Sequence, residues 1–293
     1  MIYWNNIKSR VKDIRLTVYL LGKNPLTKIA MLLTILLIVI AILAPIIAPY
    51  PEDAVSATHP ENTLAPISAA HWFGTDELGR DIFSKILFGT RISLSTAFIT
   101  VCMAMFIGSF LGAIAGTFGG IINEIIMRIT DVFLSFPSLL LAVTIASLLG
   151  PSTRNAQIAI LISYWPWYTR LMRGQAISVR EKQFVKAAEA IGTSRIRIIA
   201  KHIVPNCVAP IIVQASMDMG AVILTLASLS FLGLGAQSPT PEWGLMVATS
   251  KNYVLNAWWY SVFPGLAIFI AVLTFNLLGD GLREVLDPKT RKN

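Results

Sequence analysis

Six apolar segments, each close to the length of a membrane-spanning helix, constrain the fold of this chain more than any other feature. A helix needs roughly 20 apolar residues to cross a bilayer, and the segments occupy residues 29–49, 94–116, 129–149, 155–174, 207–233 and 260–282. Hydrophobic residues make up 55% of the 293-residue chain and charged residues only 14%. Because a soluble domain of this length could not bury so much apolar surface, the sequence predicts an all-α membrane protein with six transmembrane helices.

The distribution of lysine and arginine predicts the orientation of these helices. Of the 24 basic residues, 19 lie in the N-terminal arm, the 117–128 loop, the 175–206 loop with its flanking Arg170 and Arg173, and the C-terminal tail. Since basic loops remain in the cytoplasm, both termini and the 175–206 loop are expected there. Basic loops beside an anionic inner leaflet also explain the net charge of +8 without a nucleic-acid partner.

The predicted organisation follows from these positions. The chain divides into a cytoplasmic arm (1–28), a first transmembrane helix (29–49), an extracytoplasmic loop (50–93), a five-helix core (94–282) that contains the 175–206 loop, and a cytoplasmic tail (283–293). The polar stretch before Ile29 and the apolar run after it are both too long for a cleaved signal peptide. Cys102 and Cys207 have no paired spacing, which predicts neither a disulfide framework nor a metal knuckle.

The cytoplasmic segment from Phe184 to Asn206 has the pattern of two short helices joined at a break. One apolar stripe has helical spacing before Gly192, and a second stripe follows it on a new phase: Phe184, Ala187, Ala188 and Ile191, then Ile196, Ile199, Ala200 and Ile203. Gly192 can end the first helix in a left-handed conformation, and Thr193 or Ser194 can cap the second. The second helix is expected to end near Val204, because Pro205 disfavours helix at the residue before it.

Two interpretations of this segment remain open from the pattern alone. The basic flank of Arg195, Arg197 and Lys201 is typical of an amphipathic helix pair that rests on lipid headgroups. The small residues Ala187 and Ala188 would equally let the backbone of a cytoplasmic partner come close. In both interpretations His202 is expected to hold the end of the bend.

Two further groups of polar residues are candidates for a role in or near the membrane. Asp218 lies within the fifth predicted span, where a carboxylate is costly and usually functional, so it is the main candidate for a substrate pathway, with Gln214, Met217 and Asn276 beside it. The same carboxylate could instead lie near the headgroups or pair with a neighbouring subunit. In the extracytoplasmic loop, Asp76 is expected to cap a short interfacial helix through Ile82 and Leu87. Its charged face is expected to be solvated, with contact to a partner protein as the alternative: Glu77, Arg80, Asp81 and Lys85. Pro137 is expected to kink the third span.

Sequence motifs for catalysis are missing. The chain has no G-x-x-x-x-G-K-[ST] phosphate-binding loop, no H-E-x-x-H and no G-x-S-x-G. His59, His71 and His202 are too scattered to indicate a metal site. We therefore expect a protein that is not an enzyme, that holds no cofactor or metal itself, and that draws its energy from a partner.

Several stretches, in order along the chain, resemble the permeases of binding-protein-dependent ABC importers. Ala187-Ala188, Gly192, His202 and Pro205-Asn206 resemble the family's cytoplasmic "EAA" loop. The stretches at 74–84, 89–94, 230–244 and 275–288 resemble signatures of the C-type permease in the dipeptide, oligopeptide and nickel subfamily. The resemblance covers roughly residues 70–288. The chain departs from the family at Lys186, where a glutamate is usual.

The resemblance implies a subunit of an importer in the cell membrane, with the type I ABC importer permease fold. Its expected partners are a homologous B-type permease, an extracytoplasmic solute-binding protein and two ATP-binding subunits, on which ATP and Mg²⁺ would bind. Residues 184–206 would couple the chain to an ATPase, chiefly through Phe184, Ala187, Ala188, Glu189, Gly192, Arg195, His202 and Pro205.

The substrate that the resemblance implies most directly is a di- or oligopeptide, with nickel or a metal chelate as the alternative of the same class. A stand-alone secondary transporter is the alternative of another class, but its signs, internal repeats and paired intramembrane charges, are not seen. A membrane-embedded enzyme would require a catalytic constellation that the sequence lacks.

Overall fold

The structure is a computed structural model that describes residues 21–286 of the chain. Residues 1–20 and 287–293, which include most of the predicted arm and part of the predicted tail, lie outside the described residues. The described part is helical, as predicted, with these helices: α1 (Pro25–Ile47), α2 (Ile82–Phe118), α3 (Gly120–Leu134), α4 (Ser138–Leu149), α5 (Thr153–Arg180), α6 (Gln183–Ala190), α7 (Arg195–Ile198), α8 (Val204–Phe231), α9 (Trp243–Ser250) and α10 (Trp258–Leu286). One turn of π-helix, Ile199–Ile203, joins α7 to α8.

Four helical segments are long and apolar enough to cross a membrane: Pro25–Ile47, Ile82–Phe118, Arg195–Phe231 and Trp258–Leu286. The predicted third span is broken, because α3 and α4 meet at an angle of 87° and would form a fifth span only as a bent pair. Pro137 immediately precedes α4 and has no N–H to continue the α3 ladder, so the predicted kink is a full break. The predicted fourth span lies in α5, which is long enough to cross a membrane but is more polar than these four segments.

Polar side chains fix α3 against α5 at this break. The Arg170 guanidinium lies 2.5 Å from the Asp131 carboxylate, and Arg173 donates a hydrogen bond to Asn123. Both arginines are in the C-terminal half of α5, the helix that leads into the 183–203 segment. They therefore hold α3 beside α5 although little of α3 is buried, with Thr130 its one fully buried side chain.

The helix that follows the 50–81 loop begins differently from the prediction. Asp81, not Asp76, caps it: Asp81 Oδ2 accepts a hydrogen bond from the Ser84 N–H at 2.8 Å. The helix then runs without a break for 37 residues. The short interfacial helix predicted within residues 50–93 is therefore wrong as a separate element, since Ile82–Leu87 forms the first turns of α2.

The charged residues predicted to be solvated at this end are buried instead. Asp76 Oδ2 accepts hydrogen bonds from Arg80 Nε at 2.8 Å and from Lys85 Nζ at 2.6 Å, and these side chains are 0–6% exposed. Asp81 is also buried, with its backbone N–H donating to Asp53 Oδ2 at 2.7 Å. Burial disfavours ionisation of Asp76, but Lys85 and Arg80 outweigh it and lower the pKa of this carboxyl. The 74–85 stretch is thus a folded ionic cluster, and Glu77, with a side chain 22% exposed, lies at its edge.

The largest contact between two helices joins α2 to α5. Gly108, Gly112 and Gly116 recur at every fourth position along α2 and lie against the α5 backbone. A Cβ at position 112 would lie 2.8 Å from the Met172 Cβ, and a Cβ at position 116 would lie 2.7 Å from the Ala176 Cβ. Small residues at this spacing let membrane helices approach closely, so this stripe determines the distance between α2 and α5.

Replacing Gly112 by alanine is expected to lower stability, whereas Gly174→Ala in α5 is expected to raise it. Alanine is favoured over glycine in a helix by about 0.5–1 kcal/mol, and a Cβ at Gly174 would meet no atom within 4 Å. At Gly112 the same gain is outweighed because α5 must move away. Thermal unfolding of the two purified variants in detergent should therefore shift in opposite directions, and equal shifts would contradict the close-contact interpretation.

Candidate functional site: the 183–203 elbow

The segment of residues 183–203, called the elbow below, contains the bend that the sequence pattern predicts. Gly192 follows α6 with a φ of +79°, in the left-handed region that favours glycine. Its N–H donates to the Glu189 carbonyl at 3.0 Å, and the Thr193 N–H donates to the Ala188 carbonyl at 3.0 Å. Ser194 then precedes α7 in an extended conformation, without a side-chain capping bond. The chain therefore changes direction within the four residues between α6 and α7.

The second helix of the elbow does not end near Val204, and that prediction is wrong. α7, the π turn and α8 form one helical segment, Arg195–Phe231, of 37 residues. The Val204 N–H donates to the Ile199 carbonyl, five residues back. This wider turn lies where the ring of Pro205 would otherwise collide with the preceding turn of an α-helix. The elbow consequently continues directly into a candidate membrane span.

The inward face of the elbow differs from both predicted stripes. Val185 and Ala188 of α6 are buried, as are Ile198 and Ile203 farther along. Val185, Ile198 and Ile203 pack in one apolar cluster with residues of α5 and α8: Tyr168, Met172, Ala176, Val179, Cys207 and Ile211. Of the predicted first stripe only Ala188 is buried. The elbow is therefore held by a hydrophobic core that it shares with two long helices.

Charged contacts attach the elbow to the ends of α2 and α5. The Arg180 side chain, at the end of α5, lies 3.6 Å from the Glu189 carboxylate. The Arg195 guanidinium lies 5.5 Å from the centre of the Phe118 ring, at the end of α2, which is within the range of a cation–π contact. Glu189 and Arg195, both predicted to contact an ATPase, thus also have partners within the chain.

Two further contacts lie across and beside the bend. The rings of Phe184 and His202 are 6.1 Å apart, so His202 links α6 to the π turn. Lys186 Nζ lies 2.7 Å from the Glu181 carboxylate. The hydrogen bond and the charge of Lys186 together lower the pKa of the Glu181 carboxyl. Both members of this ion pair are more than half exposed.

Apolar side chains at the tip of the elbow have no cover in the structure. Ile191 is 83% exposed and Ile196 is 74% exposed, on either side of Gly192. A Cβ at Gly192 would meet no atom within 4 Å. Exposed isoleucines on both sides of the bend form an apolar patch on a segment that is anchored by its own core, which makes the tip a candidate protein interaction site.

The four residues predicted to line a pathway do not form one surface. Gln214 Nε2 donates to Asp218 Oδ1 at 2.9 Å, and Asp218 is buried inside the bundle, where its other carboxylate oxygen has no hydrogen-bond partner among residues 21–286. Met217 instead packs against Gly279 of α10. The Asn276 side chain donates to the carbonyl of Val272 in its own helix. The hydrogen bond of the Asp218 side chain thus lies within α8, and a pathway role for these residues stays a prediction.

An open groove that the sequence did not reveal lies between α1, α2, α8 and α10. Its volume is about 640 Å³, and its lining is mostly apolar, with the exposed Arg91 among the lining residues. None of the four predicted pathway residues lines it. The groove forms because helices that are distant in the sequence lie side by side, and a single sequence does not show which helices do so. Within residues 21–286, no three His, Cys, Asp or Glu side chains come together in a way that could hold a metal ion.

Comparison with known proteins adds to this geometry. Residues 108–292 match the model of a family described as "binding-protein-dependent transport system inner membrane component". Residues 15–66 match the N-terminal transmembrane domain of oligopeptide transport permease C. The fold is similar to that of a chain in the methionine ABC transporter captured in inward-facing conformations, with a TM-score of 0.58, 17% sequence identity, and coverage of 70% of this chain and 97% of that one.

Three relatives share nearly half of their residues with the chain. A probable D,D-dipeptide transport system permease of Escherichia coli K12 is 48% identical over 93% of this chain and 90% of its own length. A dipeptide transport system permease of Alkalihalophilus pseudofirmus is also 48% identical, over 92% and 88% of the two chains. A glutathione transport system permease of Escherichia coli O157:H7 is 47% identical over 89% and 86%.

Proposed function

The chain belongs to the family of binding-protein-dependent transport system inner membrane components, and from this we propose that it is the C-type permease subunit of an ABC importer for di- or oligopeptides. The family match covers residues 108–292, and two dipeptide permeases are 48% identical over more than nine-tenths of the chain. Neither nickel nor a metal chelate appears in the names of these relatives, and a stand-alone secondary transporter does not fit the family. The protein is thus a multi-pass component of the inner membrane.

The topology we propose has six crossings and two cytoplasmic termini. α1, α2, α5, α8 and α10 would each cross once, and the bent pair α3–α4 would form the remaining crossing. The excess of lysine and arginine in alternate loops supports this arrangement, because such loops stay in the cytoplasm. The elbow then faces the cytoplasm, and the ionic cluster around Asp76 faces outward.

The partners we propose are a homologous B-type permease, two ATP-binding subunits that bind ATP and Mg²⁺, and an extracytoplasmic solute-binding protein. The chain itself would be a non-catalytic subunit, forming half of the pathway. We assign the elbow as the docking site for an ATP-binding subunit because its tip is apolar and exposed, with Ile191 and Ile196 uncovered beside Gly192. The elbow is also continuous with a span, since Arg195–Phe231 is one helix.

The geometry supports a direct route for coupling. An ATPase bound at the tip would act on α8 through the continuous helix and on α5 through the shared core around Val185 and Ile198. Because packed cores rearrange as units, movement of the ATPases would displace α5 and α8 together rather than deform the elbow. The bundle would then alternate between inward- and outward-facing states with the nucleotide state of the ATPases.

Ile191→Asp is expected to release the ATPase from the purified complex and to stop peptide uptake, with normal insertion in the membrane. Burying an isoleucine contributes about 1.5–3 kcal/mol, so its loss should weaken docking by roughly 10- to 100-fold. The matched control is Leu255→Asp, since Leu255 is 95% exposed on the 251–257 loop between α9 and α10. Retention of the ATPase by Ile191→Asp, measured by co-purification in mild detergent, would contradict docking at this tip.

A further inference from the structure

The outward face of α6 carries one charge. Val185 and Ala188 point into the bundle, so residues on the opposite side of this helix face outward. These residues are exposed, and all but one are uncharged: Gln183, Lys186, Ala187 and Ala190. Lys186 therefore stands among small neighbours on the face that any docked protein would cover.

Two carboxylates lie in the elbow or just before it, but both are already engaged with cations of the chain. Glu181 pairs with Lys186 at 2.7 Å, and Glu189 pairs with Arg180 at 3.6 Å. Arg197 and Lys201, in contrast, are exposed and have no ionic partner within residues 21–286. The surface offered for docking is consequently positive around an apolar tip.

We propose that the ATPase surface that receives the elbow carries a carboxylate opposite Lys186, and that Lys186 thereby selects the ATPase with which this permease assembles. This inference rests on the proposed function, because it takes the partner to be an ATPase. An acidic rim complements the positive elbow, and complementary charges at an interface raise the association rate and exclude wrong partners. Glu181 competes with the ATPase for Lys186, and an exposed ion pair of this kind is weak enough to exchange.

The composition of the outward face favours a protein over a lipid surface as the partner of Lys186. A helix that lies on headgroups places large apolar side chains toward the membrane and cations at the boundary. The outward face of α6 has alanines beside Lys186 instead, which suit the close approach of another backbone. The larger apolar residues, Ile191 and Ile196, lie at the tip beside Gly192 rather than on this face.

The experiment measures the affinity of the cognate ATPase subunit for the permease in detergent, at 50 and 300 mM salt concentrations, roughly the range over which surface charges become screened. Lys186→Glu is expected to weaken binding about tenfold or more at low salt and less at high salt. Glu181→Gln frees Lys186 and should tighten binding about two- to fivefold. Lys186→Arg should restore binding, and Lys251→Glu, on the opposite side of the bundle, should leave it unchanged.

The outcomes separate this proposal from the proposed function. If Ile191→Asp abolishes binding while Lys186→Glu and Glu181→Gln do not change it, docking at the elbow stands and the carboxylate opposite Lys186 is overturned. If none of the three changes binding, docking at the elbow itself fails. A parallel measurement uses vesicles of phosphatidylcholine and phosphatidylglycerol in a 7:3 ratio, about the charge of an anionic leaflet. If Lys186→Glu reduces binding to these vesicles but leaves ATPase binding unchanged, a lipid surface replaces the ATPase as the partner of Lys186.

Discussion

Peptide uptake should be lost in Gly192→Pro although the variant inserts normally in the membrane. Gly192 has a φ of +79°, whereas a proline ring fixes φ near −65°. Proline also removes the N–H that donates to the Glu189 carbonyl. The bend between α6 and α7 must therefore open, and Ile191 and Ile196 would no longer lie together in one apolar tip. Uptake of labelled dipeptide, and ATP hydrolysis stimulated by the loaded binding protein, measure the loss.

A graded series distinguishes the bend from general strain. Gly192→Ala keeps the N–H but places a Cβ at a positive φ, which costs about 1–3 kcal/mol, so uptake should fall partly. Gly150, between α4 and α5, has a φ of +86° and open surroundings as well, so Gly150→Ala carries a similar strain outside the elbow. Its uptake should stay near the wild-type level. Normal coupling in Gly192→Pro would show that the bend has no part in docking.

Asp76→Asn is expected to destabilise the loop before α2 and the first turns of α2 by about 3–5 kcal/mol, the range for breaking a buried ion pair. Lys85 and Arg80 would remain buried, at 4% and 5% exposure, without the carboxylate that neutralises them. The matched control is Asp131→Asn, because Asp131 pairs with Arg170 in an exposed position and should cost no more than about 1 kcal/mol. Thermal unfolding of both purified variants at neutral pH tests the difference.

The stability of the wild-type chain and that of Asp76→Asn should depend differently on pH in acid. The pKa of Asp76 in the folded chain lies below its unfolded value of about 3.9. Its contribution to stability is therefore fully present above pH ~4 and is lost as the pH falls through the folded pKa. The wild-type chain should lose this contribution in acid, whereas Asp76→Asn lacks it at every pH. A constant gap between the two unfolding temperatures down to the lowest pH would contradict an ionised Asp76.

Four of the six predicted spans and the bend at Gly192 could be predicted because each depends on local sequence. Apolar length and glycine chemistry act within a few residues, and neither requires knowledge of distant helices. The spacing of Gly108, Gly112 and Gly116 is also visible in the sequence. Its role in close helix packing, however, depends on α5 lying opposite these glycines.

Features that depend on tertiary contacts could not be predicted in the same way. Asp76, Arg80 and Lys85 have the spacing of a solvated helical face, and only their mutual pairing shows that they are buried. In α6, apolar residues occupy both faces, so helical spacing alone cannot tell the inward Val185 from the outward Ala187. Pro205 predicted a helix end, but a wider turn beside it let the helix continue.

The unbroken helix from Arg195 to Phe231 is long enough to transmit a displacement from one end of the bundle to the other. Its 37 residues span about 56 Å at 1.5 Å per residue. A tilt of about 5° around its midpoint would therefore displace each end by about 2.4 Å, in opposite directions, for a helix of this length. At the far end Gly244 packs directly on Ala227, so α9 rests on this helix. In the proposed topology, a small displacement of the elbow by a cytoplasmic partner would thus move the helix end beside α9 in the opposite direction.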